Sequence, residues 1–306
     1  VPGDYFDESQ PFVKWGEFSH VNFPVLAIWL SLRLISRKVS PRLGKTPSRG
    51  DTFKRLIRAS MKLLVCVSKT PDTTSKISFT ADGKEFNAAG ITFIMNPYDE
   101  WYALVRAIEL MEKHGGTVTL INVGDASNDQ VIRKGLAIGA TDAVRVDADP
   151  KSAIFIAKQI AVNAAAEKYD IIFCGKESID YNGSEVGAMV AEFLDLPFVS
   201  FASKLDVEGN LATLERDIEG GIETLQVQTP FVVSAAKGMA EQRIPNMMGI
   251  MKAKSKPFKV VPPVGFPNLA TPVSYRLPKE KTGVKLVDPN DMDELVKLLH
   301  EEAKVI

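Results

Sequence analysis

Residues 170–187, DIIFCGKESIDYNGSEVG, pass from a short apolar run through a glycine-bounded loop toward a helical stretch expected over about 184–194. A near-continuous apolar run of that length is the mark of a strand buried on both faces of a parallel sheet. A helix entered directly from such a strand offers unsatisfied backbone N–H groups and the positive end of its dipole to an anion. Gly183 and Gly187 would let a ligand approach the backbone closely. The spacing matches neither GxGxxG nor a Walker A loop. A solvent loop followed by a helix capped by Ser184 explains the same residues.

Working outward, residues 62–68, KLLVCVS, repeat the buried-strand pattern and open a domain. Strands are expected at 117–123 and 142–146, and helices at about 100–114, 128–138 and 151–168, the first of these ended by Gly115-Gly116. This alternation specifies an α/β fold, a doubly wound and mainly parallel sheet of the Rossmann-like kind. Two departures are expected. Residues 77–94 alternate around the turn Asp82-Gly83 and read as a small β-excursion. Residues 198–236 contain three strand-like stretches, separated by Glu208-Gly209-Asn210 and Gly220-Gly221, that close the domain as an antiparallel element. The Pro-rich remainder, with a helical stretch over about 291–304, reads as an arm that lies on something else.

Composition narrows the function classes. A formal charge of -1 gives no field for nucleic acid or an anionic membrane. Cys66 and Cys174 are the only cysteines and His20, His114 and His300 the only histidines, which leaves neither a disulfide framework nor a clustered metal site. No Ser/His/Asp, Cys/His or paired-carboxylate arrangement is visible, so no catalytic residue is assigned. The apolar run 23–35 is interrupted by Pro24 and Arg33 and falls short of the roughly 20 residues of a membrane span. Residues 1–60 hold 10 Lys/Arg against 5 Asp/Glu. They read as a targeting leader, an extra arm, or upstream sequence translated through a misplaced start. Acidic residues in the first 17 spoil the transit-peptide pattern. The expectation is a non-family extension, with the domain opening at Met61.

Two further stretches draw attention. In residues 95–100, MNPYDE, Pro97 restrains a strand-to-helix turn whose Asp99 is placed to cap the helix; the same turn would line a nucleotide cleft. The acids of residues 215–223, ERDIEGGIE, read as a solvated strand face.

With LLVCVSKTPD at 63–72, the MNPYDE turn, the loop from Gly175, RDIEGGIETL at 216–225 and RIPNMMGIMKAK at 243–254 in that order, residues 61–306 closely resemble the β-subunit of electron transfer flavoproteins. The resemblance implies an electron carrier without bond-making chemistry of its own. It would pair with an α-subunit, bind AMP and help hold the FAD that takes electrons from acyl-CoA dehydrogenases and passes them to a quinone oxidoreductase, as in fatty acid β-oxidation. The AMP pocket would comprise Cys66, Asn96, Pro97, Tyr98, Asp99, Val123 and the loop residues Gly175, Lys176, Asp180, Asn182, Gly183, Ser184, Glu185 and Val186, with Tyr98 beside the flavin. Asp217, where the family usually has Glu, would face the α-subunit, and Met247, where it usually has Leu, would anchor the partner dehydrogenase from a recognition loop at 239–254. The nucleotide-binding domain would span 61–257 and an arm packing on the α-subunit 258–306. Such proteins are cytoplasmic in bacteria or lie in the mitochondrial matrix in eukaryotes, without direct membrane insertion. Alternatives are an electron-bifurcating relative with a second FAD in the AMP site, and a stand-alone nucleotide-binding module of the universal stress type.

Overall fold

In a computed structural model, residues 60–279 and 283–306 are described; the extension expected before Met61 lies outside them apart from Ser60. Strand β1 (Met61–Cys66) is followed by β2 (Lys69–Pro71) and β3 (Phe93–Met95). Helix α1 (Asp99–His114), β4 (Gly116–Gly124), α2 (Asp129–Ile138) and β5 (Asp142–Asp147) come next. Then follow α3 (Ala153–Glu167), β6 (Ile171–Gly175) and α4 (Val186–Leu194). The chain continues as β7 (Phe198–Glu208), β8 (Leu211–Ile218), β9 (Gly221–Gln228) and β10 (Phe231–Ala235). Helix α5 (Met247–Ala253), β11 (Phe258–Val261) and α6 (Met292–Lys297) complete the described elements.

Nine strands form one sheet in the order β11-β5-β4-β1-β6-β10-β7-β8-β9, parallel from β11 through β7 and antiparallel across β7-β8-β9. Period-two alternation along β1 divides the core: Met61, Leu63 and Val65 face α1 and α2, while Leu64 and Cys66 face α3 and α4. Each face is therefore covered by helices, as a doubly wound sheet requires. Gly115 ends α1 at φ 77°, and a Cβ on Gly116 would stand 1.9 Å from the carbonyl oxygen of Met61, so only glycine fits where α1 hands the chain to β4.

Three expectations change. Residues 77–94 do not form a hairpin of strands. One bridge joins Phe79 to Phe86, and the two-stranded ladder is made by β2 and β3 at the roots of the excursion. The expected turn is present, with Gly83 at φ 66°. Its flanks are short and polar, and the Phe79 ring stacks on Tyr275 at 5.0 Å instead of extending a ladder. Residues 198–236 hold four strands, not three. Residues 231–235, FVVSA, are buried throughout and return as β10 between β6 and β7, parallel to both. A continuous apolar run demands that central, two-sided position. The arm does not begin at 258: β11 lies in the main sheet as the edge strand beside β5. Beyond it, the expected terminal helix is α6 and a wider turn over Leu298–Glu302.

Candidate functional site

Strand order reverses beside β1: the chain moves outward through β4 and β5, then crosses to β6 on the other side. The crevice beyond the carboxyl ends of strands at such a reversal is where open α/β sheets bind ligands. Three residues assigned from sequence end these adjacent strands there: Val123 on β4, Cys66 on β1 and Gly175 on β6. Cys66 is buried against Cys174 of β6, and their contact together with burial holds the Cys66 thiol well above its usual pKa, in the inert protonated form.

Asn96 joins the turn before α1 to the loop after β6. Fully buried, it donates from Nδ2 to the Glu177 carbonyl at 2.8 Å and accepts the Ile179 N–H at 3.3 Å. Satisfying both ends of a buried amide this way fixes two loops for one side chain. Pro97 sets the turn, and its carbonyl accepts from Gln242 at 2.8 Å. Tyr98 is 50% exposed, an aromatic face open to a ligand or partner.

Asp99 does not cap α1. It is the first residue of the helix and Tyr98 occupies the cap position with no side-chain bond. Its carboxyl is raised by burial, an effect opposed by the Lys176 charge and the Glu177 N–H. Ser184 does not cap α4 either: Glu185 holds that position, and the Ser184 hydroxyl donates to Glu177 at 3.2 Å. Asn182 and Ser184 have φ of 51° and 53°, a left-handed backbone on either side of Gly183. The Asn182 N–H donates to the Ser178 carbonyl at 2.9 Å, and no side chain caps the first turn of α4. Lys176 pairs with Glu177 at 2.9 Å, and Asp180 and Glu185 sit on the exposed side of the loop. Val186 and Gly187 open the helix, where a Cβ on Gly187 would come within 3.0 Å of the Phe198 ring.

Glu100 was not assigned from sequence. It is buried, accepts the Ser68 N–H and hydroxyl at 2.6 Å each, and its carboxyl is pushed up to about 8 by burial, with Asp180 adding repulsion. A Cβ on Gly175 would lie 2.7 Å from its Cγ. The signal was the acid directly after NPYD at a helix start, which also reads as a favourable dipole partner.

Two assigned residues lie elsewhere. Asp217 is exposed on β8 opposite Ile222 of β9. Met247 is the first residue of α5 and 76% exposed, with Met248, Ile250 and Met251 also exposed. The helix is held by its backbone. Asn246 caps it by accepting the Gly249 N–H at 2.7 Å, and a Cβ on Gly249 would stand 2.4 Å from the Ala137 carbonyl. Arg133 donates to the carbonyls of Ala253 and Lys256. Among the described residues no group of His, Cys, Asp and Glu is arranged to hold a metal, and no helix is long and apolar enough to cross a membrane.

Comparison with known proteins bears on this geometry. Residues 85–264 match the electron transfer flavoprotein domain. The electron transfer flavoprotein subunit beta of Bacillus subtilis is 35% identical over 261 residues, covering 80% of this chain and all of the relative. The human subunit beta is 34% identical over 245 residues, 76% of this chain and 96% of the relative. The mitochondrial subunit beta of Oryza sativa subsp. japonica is 33% identical over 257 residues, 80% of this chain and all of the relative. These matches run through the strand-order reversal, the loop after β6 and α5, and displace the stand-alone stress-type module: the chain belongs to the electron transfer flavoprotein family, in its β-subunit branch.

Proposed function

We propose that the chain pairs with an electron transfer flavoprotein α-subunit, binds AMP at the carboxyl edge of β4, β1 and β6, and helps hold the FAD that carries electrons from acyl-CoA dehydrogenases to a quinone oxidoreductase. The observation that carries the nucleotide assignment is the loop after β6. Its left-handed Asn182 and Ser184 flank Gly183 and lead into a helix whose first turn lacks a side-chain cap, at the reversal of strand order. These residues fit a phosphate, since a helix N-terminus without a side-chain cap favours an anion without needing a cation. The adenine side would be bounded by Cys66, Val123 and the Asn96-Pro97 turn.

Bound FAD supplies the redox chemistry; the protein sets its position and surroundings. Tyr98 presents an exposed ring one residue from the buried NP turn, a rigid mount for an aromatic group beside the flavin. Asp217 stands on the ribbon where an α-subunit arginine would meet it. On α5, exposed Met247 and its neighbours form an apolar surface on a firmly held backbone, suited to a carrier that binds several dehydrogenases and releases them.

Extraction of cofactors from the purified heterodimer tests this assignment. One FAD and one AMP per dimer is the expected outcome. Two FAD and no AMP would replace it with the electron-bifurcating form, and absence of both nucleotides would remove the site.

A further inference from the structure

Of the described residues around the sheet's carboxyl edge, Glu100 joins the most segments and has no assigned role. Its two oxygens hold the Ser68 N–H and hydroxyl, each at 2.6 Å, where the chain leaves β1. Four residues before it, Asn96 holds Glu177 and Ile179 of the loop after β6. Its Cγ fills the space that a side chain on Gly175 would need. One side chain therefore meets the ends of β1 and β6 and stands just after the NP turn, three segments that bound the proposed AMP site.

We infer that Glu100 is a positioning residue of the nucleotide cleft, its buried side chain keying the end of β1 to the end of β6 beside the NP turn. This inference rests on the AMP reading and deepens it. As they stand, both oxygens accept, one the Ser68 N–H and the other the Ser68 hydroxyl, bonds that favour the ionised form; in the acid form the protonated oxygen donates to that hydroxyl instead.

The charges around it favour that form. Asp180, on the exposed side of the loop after β6, adds repulsion, Asp99 adjoins it on α1, and Cys66 feels its charge from β1. Lys176 is the nearby cation, but its ammonium pairs with Glu177. Burial is the main cause that raises the carboxyl to about 8, well above its ordinary range. Ionisation as pH rises through that value would put a negative charge beside the bound anionic nucleotide. It would also reverse the hydrogen bond to the Ser68 hydroxyl.

Glu100→Gln reproduces the neutral form, with its amide donating where the acid did. AMP binding to the full chain is measured by calorimetry from about one unit below to about one unit above that pKa. Wild-type affinity should fall about fivefold across this range, the fall that a one-unit displacement of the carboxyl by the ligand produces over that span. Glu100→Gln should stay level, and Glu100→Ala, which leaves Ser68 without its partner, should bind more weakly at every pH.

A ligand-free readout accompanies this. A carboxyl whose pKa is raised on folding makes the fold less stable as pH climbs from the ordinary Glu range to about 8, and the loss then levels off. Glu100→Gln should therefore gain in Tm over the wild type through that interval and hold the gain above it. An identical alkaline loss of AMP affinity in wild type and Glu100→Gln overturns the inference while leaving the AMP site standing. Wild-type protein that binds no AMP at any pH overturns both.

Discussion

The carboxyl edge of the sheet and the segment after β11 treat apolar and polar groups in opposite ways. At the edge, Asn96 and Glu100 are buried and satisfied by partners distant in sequence. In the tail, Val273 and Leu286 are 85% and 89% exposed, and no residue of α6 is buried. A region that buries polar groups at full hydrogen-bonding has its structure determined from within. A region that leaves successive apolar side chains in water has a surface determined by something outside the chain. On the proposed reading the edge is a finished site for a small molecule, whereas the tail and α5 are halves of interfaces.

Three substitutions sharpen or break that contrast. Phe231→Ala removes a fully buried ring from β10, the strand that joins β6 to the antiparallel ribbon. It should cost about 3–5 kcal/mol, read as a lower denaturation midpoint. A near-normal midpoint would mean that β10 is not central.

Gly187→Val forces a branched side chain toward the Phe198 ring, where even a Cβ would approach to 3.0 Å. The expected overpacking cost is about 1–3 kcal/mol, accompanied by loss of AMP. Full nucleotide stoichiometry in this variant would contradict the placement of the phosphate at the start of α4.

Met247→Ala should leave Tm, FAD and AMP unchanged, because the side chain already lies in solvent. Electron transfer from acyl-CoA dehydrogenases should slow by the equivalent of about 1–3 kcal/mol of lost docking. Unaltered transfer would move the anchor to Met248.

Legibility in the sequence followed the same division. Segments whose neighbours are dictated by period and apolarity were readable: β1, β4, β5 and β6 with the intervening helices fell where the pattern put them. Residues 231–235 carried the same signal as β1, but adjacency to the ribbon merged them with β9. In the excursion at 77–94 the alternation comes from Phe79, which packs against Phe86 and stacks on Tyr275, some two hundred residues on. The assigned cleft residues converged, since they end adjacent strands. The capping roles of Asp99 and Ser184 failed because caps depend on a shift of one residue at a helix start. Glu100 stayed hidden, since an acid in a first turn is ordinary and only its burial makes it unusual.

The insertion of β10 between β6 and β7 bears on how the protein is made. When β6 has left the ribosome, its free edge has no partner, and residues 198–228 must emerge before the strand that covers it exists. At about 5–20 residues per second, this leaves an apolar edge open for seconds during synthesis. Pairing β6 with β10 then closes a loop of more than fifty residues, a slow and entropically costly contact. The nascent subunit thus passes through a stage in which its half-built sheet presents a ready template for another strand, and there its yield in a cell is decided.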